Sequence, residues 1–363
     1  MPAEPDRPQN AGSARFGQSW LPMARRIRKS LWTRSFQRTL GALTRTTLRA
    51  GTRAAVKATA KAIRSAAKPA PKARKPPAGA GAWVSGVAIG VAGARRYRLY
   101  TPPGARKATR LPLLVMLHGC HQDAAGFARS TRIQALAARE GFFVLCPEQE
   151  RLANAQGCWN WFETRSGRAQ AEAASIVAAI DQVCVRYGAD PTRVAVAGLS
   201  AGASMAALLA TRHPERFRAV AMHSGIAPGA AHSTATALRA MQGRRAPGPL
   251  APPAAGLPPL LVIQGTADHL VRPSNGEAAA RVWADAAGAI ATAPRTVQRG
   301  ARHPVSVTDF KHLGRIVARL CEISGLGHAW SGGTASQPYG DAKGPDAARM
   351  IWAFAARQFR SAE

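Results

Sequence analysis

The sequence predicts an α/β fold with a mostly parallel, doubly wound sheet. Continuous apolar runs at 111–117 and 194–199 have the length and composition of strands that are covered on both faces. They alternate with segments of helical periodicity at about 123–140, 169–187 and 274–287. This alternation indicates strand–helix–strand units with right-handed crossovers.

The first half of the predicted sheet begins with two strands, 83–89 and 96–101, which precede a Pro-Pro-Gly turn and are expected to pair antiparallel. Beyond the run at 111–117 and the first helix, the segment 142–146 is again apolar and predicts a strand. A loop containing Cys158-Trp159-Asn160-Trp161-Phe162 then leads to the long helix at about 169–187.

The second half continues with a helix at about 201–211 and apolar strands at 219–222 and 260–264. An Ala-, Pro- and Gly-rich stretch between these strands predicts an excursion with one helical piece near 234–241. The remaining predictions are the strands 296–298, 305–310 and 316–323, and a final helix at about 345–359.

The length of the chain and the distribution of its charge predict two regions, a basic extension and one large domain. Its 363 residues are 46% hydrophobic, which is enough for one large domain with a sizeable core. The formal charge of +31 is uneven, since residues 1–80 carry 18 Lys and Arg against Glu4 and Asp6. We predict a basic extension over 1–80 and an α/β domain over 81–363. The sequence contains no apolar run of about 18 residues, so it does not predict a membrane-spanning helix.

The extension combines disorder-prone and helical patterns. Residues 1–18 are polar, whereas 20–43 place apolar residues at helical spacing between arginines, which predicts a basic amphipathic helix. A Lys- and Pro-rich run at 68–77 predicts a stiff linker. Residues 20–75 are expected either to contact an anionic membrane, granule or nucleic acid, or to pack on the main domain. The absence of an apolar h-region argues against a cleavable secretory signal, so the location stays open, with a cytoplasmic or granule-associated location as the alternative to an extracellular one.

The sequence Gly198-Leu199-Ser200-Ala201-Gly202 follows the apolar strand at 194–199 and opens a small-residue helix. This is the pattern of a nucleophile elbow, in which a strained turn exposes a serine Oγ at the carboxyl edge of a sheet. Side chains at Gly198 or Gly202 would collide with the packed strand or helix. We therefore predict Ser200 as a nucleophile, which requires an acid and a base.

The acid is predicted at Asp268, which follows a buried strand in a Gly-bearing loop at the sheet's carboxyl edge. The competing interpretation is a turn or helix N-cap aspartate. Asp285 and Asp309 lie within periodic segments, and Asp341 comes after the last histidine. The order Ser, Asp, His is that of α/β-hydrolases.

The base is predicted at His328, because Gly325 and Gly327 free its loop to carry an imidazole back over Ser200. The oxyanion is expected to accept the backbone N–H groups of Ala201 and Cys120. His118 is expected to brace its loop. Four other histidines are interpreted as helix-end, surface or acid-loop residues: His213, His269, His303 and His312.

Five cysteines without C-x-x-C spacing argue against a zinc site, and no metal or cofactor is expected. Cys146, Cys184 and Cys321 fall in apolar patterns and are predicted to be small buried side chains. Cys120 and Cys158 lie in loops near the expected site, and a disulfide between them is a hypothesis.

Taken together, these motifs resemble the polyhydroxybutyrate depolymerase family of esterases, α/β-hydrolases related to feruloyl and acetylxylan esterases. The resemblance covers about residues 95–360. It rests on the segments at 111–122 (LPLLVMLHGCHQ), 147–149 (PEQ), 157–162 (GCWNWF), 194–210 (VAVAGLSAGASMAALLA), 222–225 (MHSG) and 325–333 (GLGHAWSGG).

The resemblance implies serine-dependent hydrolysis of a hydroxyalkanoate polyester or similar ester, without a metal. It also implies that Trp159, Trp161 and Trp330 line an apolar groove, with core packing as the alternative, above all for the first two. Two motifs depart from the family's, at Gly202-Ala203 and at 264–268, without altering a reacting group. A feruloyl or acetylxylan esterase is the second functional hypothesis, and an interaction protein acting through its basic extension is the third.

Overall fold

A computed structural model describes residues 80–251 and 256–360. The predicted amphipathic helix, the linker and the binding segment 20–75 lie outside these residues. None of the helices in the described ranges combines the length and apolar character that crossing a membrane requires.

Within residues 80–251 and 256–360, eleven strands form one sheet and two short strands form a second. The strands are β1 (Ala82–Gly90), β2 (Gly93–Thr101), β3 (Leu113–Leu117), β4 (Phe143–Pro147), β5 (Val194–Leu199), β6 (Ala219–His223), β7 (Leu260–Gly265), β8 (Ile290–Ala291), β9 (Arg295–Val297), β10 (Val305–His312), β11 (Arg315–Ile323), β12 (Trp330–Ser331) and β13 (Gly340–Asp341).

The described α-helices cover both faces of the large sheet. They are α1 (Ala124–Thr131), α2 (Ile133–Glu140), α3 (Arg168–Tyr187), α4 (Ala201–Arg212), α5 (Thr234–Met241), α6 (Ser274–Asp285) and α7 (Ala347–Arg360).

The strand order of the large sheet is β1-β2-β4-β3-β5-β6-β7-β11-β10-β8, with β9 beside β10. The pairs from β4 to β11 along this order are parallel, and those of β1, β2, β8, β9 and β10 are antiparallel. The predicted α/β-hydrolase fold, with its antiparallel start, is therefore confirmed. From β3 the chain winds to β4 on one side and later to β5 on the other, so the β3/β5 boundary is the switch point where ligands bind in such sheets.

The central strands are buried on both faces and alternate between two core layers. Leu113, Val115 and Leu117 of β3 pack in the layer covered by α3, α4 and α6. Leu114 and Met116 pack in the opposite layer, beneath α1, α2 and α7. This two-sided burial explains why β3 and β5 read as continuous apolar runs.

The single helix predicted at about 123–140 is divided into two helices, α1 and α2. The segment 123–140 is divided at Arg132, whose φ of 53° ends α1 and begins α2. Periodicity did not reveal this break, because Arg132 does not interrupt the apolar spacing. Its guanidinium donates from Nη2 to the carbonyl oxygen of Gly332 at 2.7 Å, which ties the break to the loop that carries His328.

Candidate active site

The turn at Ser200 has the backbone geometry that the nucleophile prediction requires. Ser200 has φ 56° and ψ −122°, a conformation that L side chains rarely adopt. Its N–H donates to the carbonyl oxygen of His223 on the neighbouring strand at 2.9 Å. The turn thus lifts the side chain above the carboxyl ends of β5 and β6 while the backbone remains hydrogen-bonded.

Two glycines make this turn possible through close packing. A Cβ added to Gly202 would lie 2.2 Å from the carbonyl oxygen of Leu117 and 2.5 Å from that of His118. A Cβ on Gly198 would lie 2.3 Å from the carbonyl carbon of Gly202. Backbone atoms in these positions cannot move aside cheaply, so helix α4 can approach β3 closely only with glycine here.

The predicted acid and base lie in contact. Asp268 is almost fully buried, and its Oδ2 lies 2.8 Å from Nδ1 of His328. Its Oδ1 accepts the N–H groups of Leu270 and Val271 at 3.0 and 2.8 Å. Burial raises the pKa of the Asp268 carboxyl, but the hydrogen bond and charge of His328, together with the two backbone hydrogen bonds, outweigh it and hold that pKa below its usual range.

This contact assigns the tautomer of His328. An ionised carboxylate only accepts hydrogen bonds, so Nδ1 of His328 carries the proton and Nε2 presents a lone pair. Among the described residues no hydrogen bond joins Ser200 Oγ to this imidazole. That bond is commonly long before a substrate binds and tightens in the complex.

The acid loop and the histidine loop are packed together. A Cβ on Gly265 would lie 2.2 Å from the carbonyl oxygen of Leu326, which also accepts the N–H of Ala267 at 3.0 Å. Gly325 donates its N–H to the hydroxyl of Thr266 at 3.0 Å. Asp268 and His328 are 60 residues apart in sequence, and their loops are held together by direct backbone contacts as well as by the two side chains.

Two backbone N–H groups beside Ser200 remain available to a ligand. Within the described chain, neither Cys120 nor Ala201 has a hydrogen-bond acceptor for its N–H. A Cβ on Gly119 would lie 3.5 Å from Cβ of Ser200, which places the loop after β3 directly against the nucleophile. This is the arrangement expected of oxyanion donors.

The hypothesis of a Cys120–Cys158 disulfide is confirmed by a direct bond between the two sulfur atoms. The other three cysteines are free, and Cys146 and Cys321 are buried as predicted, whereas Cys184 is half-buried. Burial raises the pKa of the Cys146 and Cys321 thiols to about 12. The disulfide links the loop that carries the Cys120 N–H to the aromatic loop at 157–162.

Two of the three predicted groove tryptophans lie in the core. Trp159 and Trp330 have no exposed surface, so neither can line an open groove. The indole N–H of Trp159 donates to the carbonyl oxygen of His118 at 3.0 Å, and the ring of Trp330 stacks on His223 with centroids 5.2 Å apart. Trp161 is 7% exposed, and its role in substrate binding stays a prediction.

His118 braces its loop in the way the sequence suggested. Its Nε2 accepts the N–H of Gln149 at 3.1 Å, and its Nδ1 lies 2.9 Å from the carbonyl oxygen of Gly119. Burial lowers the pKa of His118 to about 4, so the ring is neutral at pH 7 and carries its proton on Nδ1.

Sequence reasoning missed the buried polar cluster behind this loop. Gln149 donates to the Glu172 carboxylate at 2.7 Å and to the carbonyl oxygen of Cys158 at 3.0 Å. Asn160 donates both its backbone N–H and its side-chain amide to the same carboxylate, and Arg95 donates to Gln149 at 2.8 Å. In the sequence these residues are marked only by Gln149 shortly after β4 and by Asn160 among aromatic residues. Their proximity becomes visible only in the fold.

Comparisons with known proteins agree on one family. The sequence profile of the Esterase PHB depolymerase family matches residues 95–260. Poly(3-hydroxyalkanoate) depolymerase C of Paucimonas lemoignei is 34% identical over 181 residues, which are 45% of this chain and 42% of that protein. Feruloyl esterase B of Neurospora crassa is 30% identical over 220 residues, which are 53% of this chain and 70% of that protein.

A solved structure supports the fold. The acetyl xylan esterase from Aspergillus awamori superposes with a TM-score of 0.56 at 20% identity, covering 68% of this chain and 94% of that one. The matched region is less than half of the Paucimonas lemoignei depolymerase but more than two thirds of the feruloyl esterase. The chain therefore belongs to the Esterase PHB depolymerase family, a family of carboxylic-ester hydrolases with the α/β-hydrolase fold.

Proposed function

We propose that this chain is a serine esterase that cleaves poly(3-hydroxybutyrate)-type or short-chain hydroxyalkanoate esters through an acyl-Ser200 intermediate. The observation that carries the proposal is the buried Asp268–His328 contact of 2.8 Å at the same sheet edge as the strained Ser200 turn. Around that serine, two backbone N–H groups have no partner in the described chain.

In acylation, Ser200 Oγ attacks the ester carbonyl carbon and passes its proton to Nε2 of His328. The carbonyl oxygen becomes an oxyanion, and the N–H groups of Cys120 and Ala201 donate to it. The Asp268 carboxylate holds the imidazolium that forms and does not itself take the proton. Collapse of the tetrahedral species breaks the bond to the alcohol oxygen, which receives the proton from His328.

In deacylation, a water molecule replaces the alcohol. His328 takes a proton from that water as its oxygen attacks the acyl carbon, and the same two N–H groups stabilise the second oxyanion. The bond to Ser200 Oγ then breaks, and His328 returns the proton to the serine. The product is a carboxylic acid, and the enzyme regains its starting protonation state.

The decisive test is hydrolysis of p-nitrophenyl butyrate and of amorphous poly(3-hydroxybutyrate) by the full chain and by Ser200→Ala. We expect the wild type to release p-nitrophenol and 3-hydroxybutyrate, and the variant to lose turnover while its circular dichroism spectrum is unchanged. Retained turnover in a folded Ser200→Ala protein would contradict the proposal.

A feruloyl or acetylxylan esterase is the second candidate, because the relative with the more complete coverage is a feruloyl esterase. Release of ferulate or acetate from plant polysaccharide, without 3-hydroxybutyrate from the polyester, would favour it. Either result keeps the acyl-serine chemistry and changes only the substrate.

The basic extension supports a third proposal, adsorption of residues 20–75 to an anionic surface such as a granule, membrane or nucleic acid. The support is the charge of the extension, with 18 Lys and Arg against two acidic residues in 1–80. Deleting residues 1–80 is expected to leave turnover of the small ester unchanged and to abolish retention on anionic vesicles or DNA. DNA retention should also fall steeply with salt if phosphates are the partner.

A further inference from the structure

His223 lies between the two arms of the proposed catalytic apparatus. It is the last residue of β6, and its carbonyl oxygen accepts the N–H of Ser200 from the neighbouring strand. The imidazole has no exposed surface, and no proton-transfer step described above uses it. A buried polar ring of this kind has to be explained by its hydrogen bonds.

Both ring nitrogens of His223 have partners. Nε2 lies 3.1 Å from the backbone nitrogen of Ser331, and Nδ1 lies 3.1 Å from the hydroxyl of Ser224. A backbone N–H can only donate, so Nε2 must be the unprotonated acceptor. The neutral ring therefore carries its proton on Nδ1 and donates it to Ser224 Oγ.

The surroundings keep this imidazole neutral. The pKa of His223 is lowered to about 3, chiefly by burial and, when His328 is protonated, by its charge, while the Asp268 carboxylate opposes the shift. At neutral pH Nε2 is therefore permanently available as an acceptor.

Nε2 of His223 accepts the N–H of Ser331 and so holds the loop that carries His328. Ser331 is three residues beyond His328, and Trp330 between them is stacked on the His223 ring and meets Phe127 edge-on at 5.3 Å. The hydroxyl of Ser331 donates to the carbonyl oxygen of Pro345 at 2.6 Å. The histidine loop is thus fixed to the core at Trp330 and Ser331, directly after the base.

We propose that His223 is a positioning residue that sets the separation between nucleophile and base. Its carbonyl oxygen fixes Ser200, and its Nε2 fixes the histidine loop through the N–H of Ser331. The proposal rests on the esterase function proposed above. It predicts that loss of the Nε2 acceptor slows chemistry rather than substrate binding.

Two substitutions of His223 distinguish the effect of losing the Nε2 acceptor from the effect of losing the imidazole ring itself. In His223→Gln the amide oxygen can reach the position of Nε2 and accept the Ser331 N–H, whereas in His223→Asn the shorter side chain cannot. Because a displacement of about 1 Å at a reacting group can cost 10²-fold in rate, we expect kcat for p-nitrophenyl butyrate to fall by about that factor in the Asn variant, with KM little changed. The Gln variant is expected to recover most of the loss.

The controls test whether the His223 substitutions change the position of His328 or only the stability of the fold. His312→Asn, at an exposed histidine, should turn over like the wild type. The downfield proton resonance of the Asp268–His328 hydrogen bond should be lost or shifted in His223→Asn and retained in His223→Gln. A purely structural role would lower the unfolding temperature without moving this signal in the folded variant.

The outcomes are distinguishable from failure of the proposed function. If wild-type turnover does not depend on Ser200, the esterase proposal fails. If it does depend on Ser200 and folded His223→Asn turns over like the wild type, the positioning proposal fails. Should the Asn variant not fold, a folded Gln variant decides, since a 10²-fold loss there would also overturn the proposal.

Discussion

Removing the Cys120–Cys158 disulfide should weaken both the fold and the oxyanion site. The bond joins residues that are 38 positions apart, and closing a loop of that length restricts the unfolded chain by about 4 kcal/mol in the chain-entropy relation. The double substitution Cys120→Ser/Cys158→Ser is therefore expected to lower the free energy of unfolding by up to about that amount.

The same substitution should lower the rate, because the N–H of Cys120 is one of the two proposed oxyanion donors. Loss of one such donor typically costs about 10² to 10³ in kcat. Here the loop keeps other anchors, including the His121 N–H to the carbonyl oxygen of Gln156 at 2.8 Å and the Trp159 indole to that of His118. A loosened rather than absent donor should cost about tenfold in kcat.

The assay compares urea unfolding and p-nitrophenyl butyrate hydrolysis for wild type, double variant and Cys184→Ser. Cys184 is free and half-buried, so its substitution controls for a cysteine-to-serine change outside the disulfide. A double variant with the wild-type unfolding midpoint and kcat would refute both parts of the reasoning. Lower stability with an unchanged kcat would keep the entropic effect and reject the link to the oxyanion loop.

Three further substitutions or conditions test the remaining geometry. Asp268→Asn should lower kcat by about 10⁴-fold with little change in KM, because an amide can stabilise the wrong tautomer of His328. Gly202→Val should yield no stable, active protein, as judged by circular dichroism and turnover, since its side chain would overlap the backbone at the end of β3. Stability should fall on acidification: His118 and His223 have native pKa values of about 4 and 3, so below about pH 6.5 the unfolded chain binds protons that the native state excludes. Each should cost about 2 kcal/mol of unfolding free energy between pH 7 and pH 5, and an unchanged urea midpoint would contradict this.

The parts of the site that share a local pattern were predictable from sequence. The elbow is encoded by a buried strand, two glycines and a small-residue helix within one stretch, and the structure reproduces its helix start at Ala201. Asp268 could be selected because it follows a buried strand, and His328 because glycines flank it. These inferences need only chain order and local conformation.

The burial of Trp330 was not predictable in the same way, whereas core packing was already the stated alternative for Trp159. An aromatic residue in a Gly-rich loop looks solvent-accessible when only its neighbours in sequence are considered. In the fold, each of these loops turns back onto the sheet, and each indole packs against a buried imidazole, Trp159 against His118 and Trp330 against His223. Such packing depends on contacts between residues about 40 and 110 positions apart.

The buried imidazoles show why histidine type alone does not identify the base. His118 directly follows β3 and His223 ends β6, the strands on either side of β5, and in both rings Nε2 already accepts a backbone N–H. Neither ring can take a proton from Ser200 without giving up that bond, and burial disfavours the resulting cation. His328 has the opposite arrangement, because its Nδ1 proton is held by a carboxylate and no described group occupies Nε2. The state of Nε2 therefore separates the two histidines that brace the structure from His328, the proposed general base.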